Sequence, residues 1–220
     1  MENALVVVAK KPSPGTTKTR LVPPLSPQRA AELYRCLLLD TLDLMRRVGN
    51  VQPVIAYTPA DAETYFHGIA PPGFELVAQQ GQTLGERLDR VLRAHLQMGY
   101  RRVVVMDSDS PTLPPEYLLR SFQHLEADHV DLVVGPCVDG GYYLIGLKSP
   151  CSALFQVVMS TSRVLQETLQ LANHHGLRAV CLPPWYDTDT PQDLERLQRE
   201  LARLPADTAP STRQLLFSWR

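Results

Sequence analysis

Two hydrophobic patterns alternate along the chain. Short continuous apolar runs, such as 4–9 and 102–106, are rich in valine and have no polar alternation. Such runs are typical of strands buried on both faces of a parallel sheet. Longer stretches between them, such as 26–48 and 83–98, carry apolar residues at helical spacing. Strands that alternate with helices predict a three-layer α/β/α fold with a mostly parallel sheet.

The predicted elements form one series without an internal repeat or a low-complexity linker. Strands are expected at 4–9, 51–57, 74–78, 102–106, 131–134, 142–147 and 178–182, and helices at 27–48, 60–66, 83–98, 115–127, 162–172 and 190–204. We therefore expect one domain over residues 1–204, followed by a tail, 205–220, without clear periodicity. The tail is compatible with packing on its own domain or on a second subunit of a homodimer.

Four predicted segments follow strands at the carboxyl edge of this sheet, where open α/β sheets bind ligands. They are the loops after the first strand, after Met106 and after Leu182, and the glycine-rich turn after Gly135. These segments carry basic residues near the amino terminus, two Asp-x-Asp pairs and a Gly-Gly dipeptide. This coincidence predicts a polyanion held beside a divalent metal ion.

The first loop, 10–20, combines a glycine with alternating cations. Gly15 allows close approach to a ligand, and Lys18 and Arg20 point the same way if the loop is extended. Lysine and arginine both bind phosphate oxygens, so we expect Lys10, Gly15, Lys18 and Arg20 to contact nucleotide phosphates. A solvated basic loop is the alternative. The loop lacks the first glycine of a P-loop and does not open into a helix, so we reject that motif.

Each Asp-x-Asp pair follows a predicted strand. Asp107 and Asp109 can converge on one hard cation, and Asp187 and Asp189 can complete the site from the opposite side. The alternative is turn and capping chemistry, because aspartate often bonds nearby backbone groups. Thr190 explains the start of the last helix by itself, so Asp187 and Asp189 are not needed there.

Two further segments are weaker candidates. Asp139, Gly140 and Gly141 are expected to border an acceptor molecule, although Asp-Gly is also a common hairpin turn. Segment 79–87 contains glutamine amides that can hydrogen-bond to the edge of a nucleotide base. Arg87 lies in the first turn of a predicted helix, where the helix dipole disfavours a cation. The candidates for nucleotide contact in this segment are Gln80, Gly81, Gly85 and Arg87.

Charge and composition exclude several classes of binding partner. A net charge of −1 gives no global field for nucleic acid or an anionic membrane. The four scattered cysteines show no Cys-x-x-Cys pair and no Cys/His metal spacing, so a zinc site is not expected. No stretch reaches the roughly 20 apolar residues of a membrane span. We expect a cytoplasmic protein with no membrane or nucleic-acid partner.

Five blocks resemble a bacterial family of glycosyltransferase-A-like proteins, the domain of unknown function 2064. They are the opening VVVAKKPSPGTTKTRLVPPL, QQGQTLGERL, MDSDSPTLP, GPCVDGGYYLIGL and DTDTPQDLERL, in the same order. The resemblance implies the glycosyltransferase-A (nucleotide-diphospho-sugar transferase) fold. The family is similar to the nucleotidyltransferases that act on small phosphorylated acids, such as the 2-phospholactate guanylyltransferases.

The resemblance also implies roles for single residues. It places nucleotide at the first loop and Mg²⁺ or Mn²⁺ at Asp109, Asp187 and Asp189. The family often has glycine at the position of Met106 or Asp107, so Asp107 is expected to contact nucleotide or to be a spectator, and not to bind the metal.

Lys18, Arg20 and Asp109 are the expected catalytic residues of a metal-dependent nucleotidyl transfer from a nucleoside triphosphate to a small phosphorylated acceptor. Glycosyl transfer from a nucleotide sugar and nucleotide binding without catalysis are the alternatives.

Overall fold

A computed structural model describes residues 2–219. The strands are β1 (Asn3–Lys10), β2 (Gln52–Thr58), β3 (Glu75–Ala78), β4 (Arg102–Met106), β5 (Leu132–Pro136), β6 (Tyr142–Leu147) and β7 (Ala179–Cys181). The α-helices are α1 (Pro27–Arg46), α2 (Glu63–Ile69), α3 (Leu84–Gln97), α4 (Pro115–Glu126), α5 (Val164–His174), α6 (Pro191–Leu201) and α7 (Pro210–Ser218). The predicted order of elements is confirmed over 4–201.

The seven strands form one sheet in the order β3-β2-β1-β4-β6-β5-β7. Every neighbouring pair is parallel except the two pairs that contain β6, which runs antiparallel to β4 and β5. The chain moves outward from β1 to β3 and returns on the other side of β1 with β4. Because the strand order reverses between β1 and β4, the loops after these two strands flank the usual ligand crevice.

Helices cover both faces of the sheet, which confirms the three-layer prediction. Alternate residues of each strand face opposite layers, since side chains alternate along a strand. On β1, Leu5 and Val7 pack with residues of α1, α2 and α4, whereas Val6 packs with α3 and α5. All three side chains are fully buried, which is the reason for the unbroken apolar run.

The segment 205–220 was expected to be a tail without clear periodicity, packed on its own domain or on a second subunit, and its described residues pack on their own domain. Pro210–Ser218 forms α7, and Leu216 packs with Leu33 and Leu37 of α1 and with α6. Asp40, buried in α1, accepts hydrogen bonds from the backbone N–H groups of Ser211 and Thr212. The carboxylate thus caps the start of α7, an anchor that has no local signature in the tail sequence.

Two helix starts differ from prediction. Residues 60–62 form a 3₁₀ turn before α2, and α5 begins at Val164 instead of Ser162. Thr83 and Thr190 cap α3 and α6, because each accepts a hydrogen bond from the N–H three residues on, and this confirms the prediction for Thr190. At α3, however, the Glu86 carboxylate accepts from Gln82 and not from Thr83.

Candidate active site

The loops after β1, β4 and β7 meet at one point at the carboxyl edge of the sheet. There the Lys18 ammonium lies 2.7 Å from Asp109 Oδ2 and 2.6 Å from Asp189 Oδ1. Arg20 Nη1 lies 3.3 Å from the other oxygen of Asp189. The structure therefore brings Lys18 into contact with one aspartate from each acidic pair, and Arg20 into contact with Asp189.

Lys18 combines a buried charged side chain with a left-handed backbone conformation. Its side chain is only 4% exposed, and its backbone is left-handed with φ 50° and ψ 41°. Such a conformation costs a lysine about 1 kcal/mol or more. Burial alone would lower the pKa of Lys18, but Asp109 and Asp189 outweigh it and raise the pKa above its ordinary value. The ammonium therefore stays charged.

Hydrogen bonds between the loops fix this arrangement. The Asp109 carbonyl accepts from the Thr188 N–H, and the Ser110 hydroxyl donates to the Tyr186 carbonyl. Tyr34 of α1 shares a 2.8 Å hydrogen bond with Ser108. Because these contacts are buried or half-buried, the two acidic loops are tied to each other and to α1.

The carboxyl groups differ in the direction of their pKa shifts. Burial would raise the pKa of Asp189, but Lys18 and Arg20 lower it. Burial raises the pKa of Asp187 to about 6, and the carboxylates of Asp189 and Asp139 add to the rise. The pKa of Asp107 is also raised, mainly by burial and next by the carboxylate of Asp109. Neighbouring carboxylates thus disfavour one another's ionised form, and a further cation would relieve this repulsion.

A cleft of about 390 Å³ opens beside this cluster. Its polar end carries Arg20, Asp107, Asp139, Asp187 and Asp189. Its apolar part is formed by Val8, Leu84, Leu88, Ile145, Met159 and Val164. A cleft of this size, with few polar groups at one end, suits a small organic ligand that carries a charged group.

Asp109 and Asp189 fit a hard divalent cation. Their oxygens already converge on a single positive charge at 2.6–2.7 Å, the Lys18 ammonium. Carboxylate oxygen is the ligand type of Mg²⁺, which needs only one or two protein carboxylates when substrate phosphates supply the rest. The Asp187 side chain does not share this contact. Instead, its carboxylate groups with Cys137 and Asp139, so the structure divides the predicted metal set.

Segment 79–87 contributes to the cleft differently from the prediction. Leu84 lines it, together with Leu88 just beyond the segment, whereas Gln80, Gly81, Gly85 and Arg87 do not. Arg87 donates to the Gly81 carbonyl, which explains a cation in the first turn without an anionic ligand. Gly85 is buried, and a Cβ there would lie 2.4 Å from the Phe155 carbonyl oxygen. Gly85 thus serves helix packing.

Other candidates take varied positions. Gln80 is exposed and outside the lining of the cleft, and the Lys10 ammonium donates to the Thr16 carbonyl. Gly15 has φ +76° with open space around it, which fits a turn. These three residues are therefore not gathered at the acidic cluster.

The turn after β5 packs closely against another loop at Gly140. Asp139 and Gly141 line the cleft. Gly140 has φ +93°, and a Cβ there would lie 2.0 Å from the Ser162 carbonyl oxygen. Gly140 therefore serves the contact between this turn and residues 160–162, which form a further wall of the cleft.

Comparison with known proteins identifies the family. A family model described as uncharacterized proteins conserved in bacteria, DUF2064, matches residues 41–163, more than half of the chain. The chain belongs to the DUF2064 family. A crystal structure from Desulfovibrio desulfuricans G20, described as a candidate nucleotide-diphospho-sugar transferase, is 34% identical with a TM-score of 0.91. That match covers 99% of this chain and 94% of the other.

Two more distant proteins resemble this DUF2064 member. The 2-phospho-L-lactate guanylyltransferase of Natrialba magadii is 28% identical over 141 residues, which is 61% of this chain and 59% of that enzyme. The chain thus matches less than two thirds of that relative's length. The 4-diphosphocytidyl-2C-methyl-D-erythritol synthase of Anaerococcus prevotii covers 92% of the chain at 14% identity, with a TM-score of 0.61. At that identity it shows the shared fold alone.

Sequence reasoning missed several cleft residues of this DUF2064 protein. The apolar wall includes Leu84, Leu88 and Met159, which look like ordinary core residues in the sequence. Ser160, Thr161 and Ser162 line another wall, although Ser162 was expected to start a helix. Ser160 has φ +64°, a strained turn without a glycine to signal it. None of the helices within 2–219 is both long and apolar enough to span a lipid bilayer.

Proposed function

We propose that this protein is a metal-dependent nucleotidyltransferase. It transfers a nucleoside monophosphate from a nucleoside triphosphate to a small phosphorylated acceptor and releases pyrophosphate. The observation that carries the proposal is the contact of Lys18 with both Asp109 and Asp189 beside Arg20. Cations for phosphate and carboxylates for a metal meet at the switch point of an α/β sheet, where nucleotides commonly bind.

In this proposal Asp109 and Asp189 hold Mg²⁺ or Mn²⁺. When bound, the ion offsets the negative charge that develops on the phosphates during transfer. Its carboxylate ligands are the ones that Lys18 now occupies, so ion and ammonium compete for the same oxygens. Released from Asp109 and Asp189, Lys18 is available to the triphosphate.

Arg20 is proposed to bind the pyrophosphate that leaves during transfer. Its side chain is 64% exposed, it lines the cleft, and within residues 2–219 a single aspartate oxygen binds it. A guanidinium with free donors can take phosphate oxygens in a forked pair. Lys18 and Arg20 together neutralise the pyrophosphate, and Asp139 and Gly141, which also line the cleft, border the acceptor. Positioning and charge are sufficient for this chemistry, so no covalent enzyme intermediate is needed.

Two relatives support the class of reaction. The guanylyltransferase resemblance favours nucleotidyl transfer. The description of the Desulfovibrio relative favours glycosyl transfer from a nucleotide sugar, with the nucleoside diphosphate as leaving group. Both reactions use a metal-bound diphosphate, and they differ in the bond that breaks.

A product assay separates the two reactions. The protein is incubated with Mg²⁺, each nucleoside triphosphate and a panel of phosphorylated acids, and pyrophosphate is measured. We expect pyrophosphate with one triphosphate and one acceptor, and none after chelation of the metal. Nucleoside diphosphate released from a sugar donor supports glycosyl transfer. Nucleotide binding without either product contradicts both reactions.

The site is tested by equilibrium binding. Asp109→Asn should abolish metal-dependent binding of nucleoside triphosphate, because it removes a carboxylate from the Lys18 contact. Asp128→Asn is the matched control, since Asp128 is exposed in the connection that precedes β5, at the opposite edge of the sheet. Equal affinity of the two variants would refute the metal assignment.

A further inference from the structure

A second group of possible ligands lies in the wall of the same cleft. The Cys137 sulfur and carboxylate oxygens of Asp139 and Asp187 all lie within 4.8 Å of one another. Cys137 directly follows β5, Asp139 is in the turn to β6, and Asp187 is in the loop after β7. Two different loops thus bring one sulfur and two carboxylates together.

Backbone hydrogen bonds hold this group in place. The Cys137 N–H donates to the Gly141 carbonyl, and the Gly140 N–H donates to the Cys137 carbonyl. The Val138 N–H donates to the carbonyl of Trp185, two residues before Asp187. The turn and the β7 loop are therefore joined next to the three side chains, and their separation is set by the backbone.

The side chains have unused ligand capacity. Cys137 is 7% exposed, and its sulfur has no hydrogen-bond partner within residues 2–219. The Asp187 carboxylate forms no hydrogen bond or ion pair in the same part of the chain. Asp139 uses one oxygen to accept from the Gly141 N–H at 2.9 Å. Cys137 packs with the apolar core, yet its sulfur also lies within 4.8 Å of two carboxylates, and core packing alone does not require those neighbours.

We propose that Cys137, Asp139 and Asp187 form a second cation site, which takes a thiophilic divalent ion such as Zn²⁺. One thiolate and two carboxylates provide three ligands of a tetrahedral site, and the fourth position stays open. A thiolate favours Zn²⁺ or Co²⁺, whereas Mg²⁺ prefers oxygen ligands and water. Binding replaces the S–H bond by an S–metal bond, and the proton passes to solvent.

This site differs in chemistry from the Asp109–Asp189 pair. That pair offers oxygen only, and it already holds an ammonium. All three members of the second group line the cleft, so a bound substrate oxygen can supply the fourth ligand. The two positions can thus be occupied by different ions and separated by the choice of metal.

Titration of the metal-free full-length protein with Co²⁺ tests the proposal. A thiolate bound to Co²⁺ gives a charge-transfer band in the near ultraviolet, so the readout needs neither nucleotide nor activity. We expect one equivalent of Co²⁺ to produce the band, Zn²⁺ to remove it, and a large excess of Mg²⁺ to leave it. Absence of the band, or its loss with Mg²⁺, would overturn the proposal.

Four variants assign the ligands. Cys137→Ser should lose the band, and Asp187→Asn should weaken Co²⁺ binding by about tenfold or more. Cys181→Ser, which changes an exposed thiol, is the matched control and should retain it. Asp109→Asn should also retain it, even where nucleotide binding is lost. Retention in Cys137→Ser, full affinity in Asp187→Asn, or loss in Cys181→Ser would contradict the assignment.

Discussion

Replacement of Lys18 by methionine probes the charge balance of the site. Methionine preserves the length and apolar character of the buried stem but removes the ammonium. Asp109 and Asp189 would then face each other, with side chains 23% and 31% exposed, without the shared cation. Only Arg20 would remain beside Asp189.

The magnitude follows from the burial of these groups. Loss of one partner from a buried ion pair costs about 3–5 kcal/mol, because the other charge stays buried and unpaired. Both carboxylates are partly open to water, so the lower end applies. We expect Lys18→Met to reduce the free energy of unfolding by about 3 kcal/mol.

Magnesium should restore part of this loss. If Mg²⁺ binds the vacated carboxylates, a concentration of 100 times its dissociation constant stabilises the folded state by about 2.7 kcal/mol. Wild type should gain less, because its Lys18 competes for the same oxygens. Urea unfolding with and without Mg²⁺ measures both quantities.

Lys11→Met is the control, since Lys11 is an exposed lysine of the same loop. It should change stability by less than about 0.5 kcal/mol. A loss below about 1 kcal/mol in Lys18→Met, or a Mg²⁺ effect no larger than in wild type, would refute the reasoning.

Three further predictions concern single side chains. Gly140→Ala should lower stability by about 2 kcal/mol or more in urea unfolding, because its Cβ meets the Ser162 carbonyl at positive φ; a change near zero would contradict this packing. Arg20→Ala should raise KM for the triphosphate about tenfold with an unchanged melting temperature, since Arg20 is mostly exposed; an unchanged KM would remove its role. Arg178, through side-chain and backbone hydrogen bonds, lowers the pKa of Asp131 to about 2. The stabilisation from this carboxylate is therefore present above pH 4 and lost as pH falls toward 2; the stability gap between wild type and Asp131→Asn, measured by urea unfolding, should narrow over that range.

The sequence predicts the order of the elements well because each signal is local. The valine run of β1 and the capping residues Ser26 and Thr190 act within a few residues of their own position. The position of α7 depends on Asp40, some 170 residues away, and no pattern in the tail encodes that contact. Tertiary partners of this kind are absent from a local reading.

The candidate site was predicted in part for the same reason. The rule for carboxyl ends of strands places Lys18, Asp109 and Asp189 at one edge, and the structure brings them into contact. That rule does not specify the direction in which each side chain of a loop points. Asp187 and Asp189 are two residues apart, yet only Asp189 contacts Lys18. Asp187 turns to Cys137 instead, and the sequence alone does not show this.

The most direct test of the proposed site is a crystal structure with a nucleoside triphosphate and Mn²⁺, in which anomalous scattering locates the ion. We predict an ion coordinated by Asp109 and Asp189, with phosphate oxygens in contact with Lys18 and Arg20. A triphosphate bound elsewhere, or an ion that contacts neither Asp109 nor Asp189, would contradict the account.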